Sequence, residues 1–140
     1  MIKTKLFQFM YGMDLWSIPI VLALLATAFS LPLRMWIFNG ANYYSSFKGK
    51  FRGFVFYSTI MEELALRLIM LPILIGMFGV LGGISALTVA YMSYYAIMYG
   101  PIYVADALVI GALFSYAYID FGLPAVIAAH LFYKMLNAVF

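Results

Sequence analysis

Residues 54–78 read FVFYSTIMEELALRLIMLPILIGMF, a run apolar enough to cross a bilayer but for three charges, Glu62, Glu63 and Arg67. A helix needs roughly 20 residues to cross a hydrocarbon core of about 30 Å. Each ionisable side chain at the centre of such a helix costs about 2.5–3.5 kcal/mol on insertion scales. Three of them facing lipid without partners would sum to about 10 kcal/mol. They are therefore expected to face a protein interior or a wet cavity. A charge cluster at membrane depth is a functional candidate in its own right.

The rest of the chain agrees with a membrane setting. Its 140 residues are 67% hydrophobic and 9% charged, against about 45–50% and 25% in soluble domains. The length predicts one integral membrane domain over residues 1–140. The net charge of +3 is small, and its basic residues gather at a loop rather than along a stripe. That pattern sets membrane orientation and gives no reason to expect a nucleic-acid partner. The chain has no cysteine, which excludes disulfides, thiol nucleophiles and thiolate metal ligands. Lys3, Lys5 and the Ala26-Thr27-Ala28 triplet resemble a signal peptide. Yet the apolar run starts late, follows Asp14 and continues past Ala28, so an uncleaved first span is expected.

An all-α, polytopic membrane bundle of about five transmembrane helices is predicted. Lipid admits only helices or closed barrels, and these apolar runs are too long for barrel strands. The expected elements are a short amphipathic entry at about 2–12 and spans at about 15–37, 54–77, 84–99, 102–119 and 125 to the end. Pro32 should kink or interrupt the first span before Arg34. Residues 39–53 read as a polar loop, and Gly76, Gly79, Gly82 and Gly83 as a break between spans. Gly100-Pro101 should end the third span, and residues 120–124 should form a tight turn with Asp120 as a turn residue. Lys48, Lys50 and Arg52, with Arg34 nearby, outweigh Lys3 and Lys5. The loop at 39–53 is thus expected in the cytoplasm. Glu62 then lies about 15 Å along a helix from it, near mid-depth.

Four groups of residues can carry chemistry. Glu63 and Arg67 are four apart with the acid first, which predicts a structural ion pair on one helix face. Glu62 points about 100° away and has no such local partner, so it is the candidate general base. His130, the single histidine, shares a face of the last span with Lys134 and Asn137. It reads either as a hydrogen-bonded interior residue or as a catalyst. Asp106, in the fourth span, is a possible buried partner for Arg67 or Lys134. A metal site from Glu62, Glu63 and His130 would draw three ligands from two helices, so no metal or other cofactor is expected. The glycines at 76–83 do not match a phosphate loop and suit close helix packing.

Glu62-Glu63-Leu-Ala-Leu-Arg67 resembles the EExxxR motif of the CPBP family, the membrane-embedded CAAX-processing and bacteriocin-processing proteases. The stretch ADALVIGALFSYAYIDFGLPAVIAAHLFY, from Ala105, is similar to that family's closing segment, with a His on the last helix. The resemblance spans about residues 60–140 and implies a CPBP-like fold and a metal-free glutamate peptidase. It implies that Glu62 works with a His on the next helix to activate water. His130 and an Asn four residues later would then stabilise the oxyanion. The sequence departs at two of these positions. The family's F-x-x-x-H aligns with Tyr95-Ala-Ile-Met-Tyr99, and its H-x-x-x-N with His130 to Lys134. A phenol titrates near 10 in water and makes a poor base near neutrality. The expected reading is a catalytically impaired member that serves as a binding or assembly subunit, with the bilayer and other membrane proteins as partners. One alternative is an active endopeptidase using Glu62 and His130, with Tyr99 or Lys134 as donors. Another is a small transporter or channel component, against which the lack of internal symmetry counts. A salt bridge between Lys134 and Glu62 would favour the impaired site.

Overall fold

The computed structural model describes residues 7–14, 16–37, 52–98 and 103–139. They fold as helices throughout: α1 (Ser17–Ile37), α2 (Arg52–Glu63), a π-helical segment (Leu64–Met70), α3 (Leu71–Met98), α4 (Val104–Phe121) and α5 (Leu123–Val139). The expected all-α bundle is observed. Of the amphipathic entry, the described part is one 3-10 turn, Gln8–Met10, that buries Phe7 and Met10. The greater part of the 39–53 loop, with Lys48 and Lys50, lies outside the described residues, as do Tyr99 and Gly100-Pro101. Helix α2 begins at Arg52, so the polar stretch ends slightly earlier than its composition suggests.

Helix α1 starts where the Asp14 carboxylate accepts the Ser17 N–H at 2.9 Å, the geometry of an N-terminal cap. Pro19 falls in the first turn, where a missing N–H costs nothing. Pro32 does not interrupt the helix before Arg34, because α1 runs on to Ile37. The proline and Ala28, whose carbonyl it leaves free, are both exposed, so the ring displaces no packed neighbour.

The run from Arg52 to Met98 is not one rod. Gly79 has φ 82° and ψ 175°, a conformation essentially confined to glycine. In a straight helix Glu62 and Tyr95 would stand roughly 50 Å apart, yet the Tyr95 hydroxyl donates to Glu62 at 3.2 Å. The chain therefore reverses at Gly79. Two antiparallel arms follow, the first from α2 through the π segment to Phe78 and the second over the rest of α3. Gly83 packs so closely on Ile75 that a Cβ there would fall 2.7 Å from the Ile75 nitrogen. The π segment sits immediately before Pro72, which cannot donate and crowds the carbonyl four residues back. A widened turn relieves that crowding.

Gly122, with φ 90°, is the single residue between α4 and α5. Asp120 is consequently not a turn residue. It closes the last turn of α4, is buried, and accepts the Tyr11 hydroxyl at 3.1 Å. Helices α4 and α5 form the centre of the bundle. The first packs on the hairpin, the second on α2, and α1 covers both. Phe114, Ala117, Val126, Ala129 and Tyr133 fill the space between them.

Candidate active site

The hairpin and α5 bring the residues singled out in the sequence into two adjoining clusters. Glu63, on the last turn of α2, is fully buried, and so are Arg67 and His130. The Arg67 guanidinium donates to Glu63 Oε1 at 3.3 Å, and its other amino group donates to the Ile110 carbonyl of α4. Its carbon also lies 5.7 Å from the centre of the Tyr91 ring, within reach of a cation–π contact. The predicted Glu63–Arg67 pair is thus present. It has a third member that the sequence did not offer, since His130 Nδ1 lies 2.6 Å from the same Glu63 oxygen. With Nδ1 donating to the carboxylate, Nε2 is the free face of the ring. That nitrogen has no hydrogen-bond partner among the described residues, nor does Glu63 Oε2. The Phe114 ring packs 5.8 Å from the imidazole.

Glu62 faces a different set. Its Oε2 accepts the hydroxyls of Tyr91 at 2.9 Å and Tyr95 at 3.2 Å, both from the second arm of the hairpin. Lys134 Nζ stands 3.8 Å from the same oxygen, and the two side chains are 11% and 8% exposed. His130 and Glu62 do not meet as a pair. One helical turn separates His130 from Lys134 on α5, and each takes one of the two neighbouring glutamates. Asp106, on the first turn of α4 and buried, accepts a hydrogen bond from Tyr133 of α5. It lies one turn before Ile110, whose carbonyl holds Arg67. Among the described residues no group of three acidic, histidine or cysteine side chains is arranged to hold a metal ion.

Sequence reasoning missed Tyr91 and the contacts of Tyr95. Their signal was present as a tyrosine every fourth residue, at 91, 95 and 99, which marks one helix face. Only the reversal at Gly79 shows that this face looks back at Glu62.

These features define a class: an all-helical protein of membrane character, with an acidic pair on one helix facing a histidine and a lysine from the last. Residues 44–136 match the protein family described as type II CAAX prenyl endopeptidase Rce1-like, and the chain belongs to that family. The match begins at residue 44, upstream of the region from about residue 60 that the motifs alone delimit. No curated protein and no solved structure matches the chain. The family is membrane-embedded, and two helical runs here, Tyr57–Met98 and Val104–Phe121, are long and apolar enough to cross a membrane.

Proposed function

We propose that this chain is a multi-pass membrane protein that has lost the ordinary hydrolytic site of its family and serves as a binding or assembly subunit. One observation carries the reading. Glu62, the candidate base, is occupied by two phenols and the Lys134 ammonium, while the single histidine is committed to Glu63. General-base catalysis needs a proton acceptor within reach of water and poised to take its proton. A carboxylate oxygen that accepts two phenols and faces an ammonium is poorly placed for that, and neither phenol nor ammonium is a substitute base at neutral pH. The exposed apolar face of the first arm, with Leu68, Ile69, Ile73 and Met77, suits lipid or the helices of a neighbouring membrane protein. The lysines of the stretch at 39–53 support a cytoplasmic side for it.

A second reading, a working metal-free endopeptidase, has one observation in its favour. Glu63 orients His130 so that Nε2 is left without a described partner. A transporter gains no support, because Glu62, Glu63, Arg67, His130 and Lys134 gather in two adjoining clusters rather than along a path.

The test is purification in mild detergent, with co-purifying membrane proteins identified and cleavage of prenylated and membrane-spanning peptides assayed together. The expected result is bound partner protein and no cleavage. Cleavage lost on Glu62→Gln would overturn the proposal and establish the second reading.

A further inference from the structure

The chain has two tryptophans, Trp16 and Trp36. They bracket α1 and are 80% and 83% exposed, so neither indole is spent on packing the bundle. The helix between them rises roughly 30 Å, which is the thickness of a hydrocarbon core. Indoles concentrate at the two membrane–water interfaces, where one ring meets both acyl chains and water. We infer that the bilayer boundaries of this protein run through Trp16 on one side and Trp36 on the other, with the Glu62–Lys134 pair close to the midplane. The inference rests on the membrane reading proposed above and gives it a depth scale.

Other elements give the same scale. Phe7 and Tyr11 each pack on Phe121 with ring centres 5.9 Å apart, and Tyr11 donates to Asp120, so the α4–α5 turn lies at the Trp16 end. From Gly122, α4 runs back about 18 residues to Val104, roughly 27 Å and so to the level of Trp36. Arg67 reaches Ile110 on α4, and Tyr57, 64% exposed, lies about ten residues before Arg67, toward the Trp36 end. From the same Gly122, α5 reaches His130 after roughly 12 Å and Lys134 after roughly 18 Å. These values straddle the half-thickness of about 15 Å. Between the planes, Glu63, Arg67, Asp106 and Lys134 are buried and Glu62 is largely so, which keeps these five charges away from lipid. Asp14 and Asp120 lie at one end, and Arg34 and Arg52 are placed at the other.

Glu62 and Lys134 reach the surface only slightly, at 11% and 8% exposure. Met61 and Met135, the residues beside them, are 46% and 64% exposed. At mid-depth that edge meets acyl chains rather than water.

Depth-dependent quenching tests this directly. The full chain is reconstituted in phosphatidylcholine vesicles carrying bromines either near the headgroup or deep in the acyl chains. Trp36→Phe isolates Trp16, and Trp16→Phe isolates Trp36. With both replaced, Phe132→Trp supplies a central probe at a position 38% exposed, and Met135→Trp supplies a second should the first disturb folding. Both native tryptophans should be quenched about twofold more by shallow than by deep bromines, and the central probe in the opposite order. Deepest quenching of either native tryptophan, or shallowest quenching of both central probes, would overturn the assigned planes. No quenching of any probe by any brominated lipid would instead overturn the membrane reading itself.

Discussion

Glu62 and Glu63 are the same side chain at consecutive positions of one helix, yet the fold treats them in opposite ways. Glu63 is sealed among a guanidinium and an imidazole with no access to solvent. Glu62 sits at the rim, bound by two phenols and a lysine that stands beyond hydrogen-bond length. About 100° of helical rotation makes the difference. It directs one carboxylate into the packed centre between α4 and α5 and the other across the hairpin toward the second arm. A buried ion pair is stabilising only while both partners remain, since removing one leaves an uncompensated charge. A rim pair with a long contact gains little and loses little. The sealed cluster therefore reads as the fastener of the bundle, and the rim cluster as the part whose chemistry is free to change.

The largest effect should come from breaking the sealed side. Glu63→Ala strands Arg67 and His130 in the interior and should cost about 3–5 kcal/mol, read as a lower unfolding midpoint in detergent. A double-mutant cycle of Glu63 with His130 should show a coupling of about 1.5–3 kcal/mol. A coupling near zero would mean that the imidazole is held by its packing alone. Next comes Gly122→Ala, which places a β-carbon at a positive φ and should cost about 1–3 kcal/mol. Because α5 carries both His130 and Lys134, this change should loosen both clusters together. Glu62→Gln should cost only about 1 kcal/mol, since an amide oxygen can still accept from Tyr91 and Tyr95. If it matched Glu63→Ala in cost, the contrast between the two glutamates would fail.

The smallest effect belongs to Asp14, a fully exposed carboxylate that serves as an outside reference. The hydroxyl of Ser17 and then its backbone N–H hold the Asp14 carboxyl below the ordinary aspartate value. With the folded value lowered, this stabilisation is fully present above about pH 4 and fades as the pH falls below that. A slight acid-side loss of α1 helicity should appear in the native chain and be absent in Asp14→Asn, as followed by circular dichroism.

Local relations were legible in the sequence and long-range ones were not. The Glu63–Arg67 pair follows from a spacing of four on one helix, and the break near Gly79 follows from a cluster of residues that lack a β-carbon. The five helical rods fall within a few residues of their expected places because apolar length is a property of the chain alone. That α1 continues past Pro32 was not legible, because the outcome depends on which face of α1 the proline occupies, and that face is set by packing. Asp120 misled for a related reason, since its partner Tyr11 is 109 residues away in sequence. The attachment of His130 to Glu63 rather than Glu62 depends on how α5 lies against α2, to which no periodicity within either helix is sensitive. The family resemblance singled out Glu62, Glu63, Arg67, His130 and Lys134, and the geometry divides them between two clusters.

The reversal at Gly79 also makes the charged stretch largely self-sufficient. The two arms are consecutive in the chain and joined by one glycine, so on the membrane reading proposed above they would enter the bilayer as a single hairpin. That hairpin already carries the Tyr91 and Tyr95 hydroxyls for Glu62, the Tyr91 ring for Arg67 and the internal Glu63–Arg67 pair. Residues 62–95 thus hold partners for all three charges within one hairpin, and His130 and Lys134 of α5 complete the two clusters.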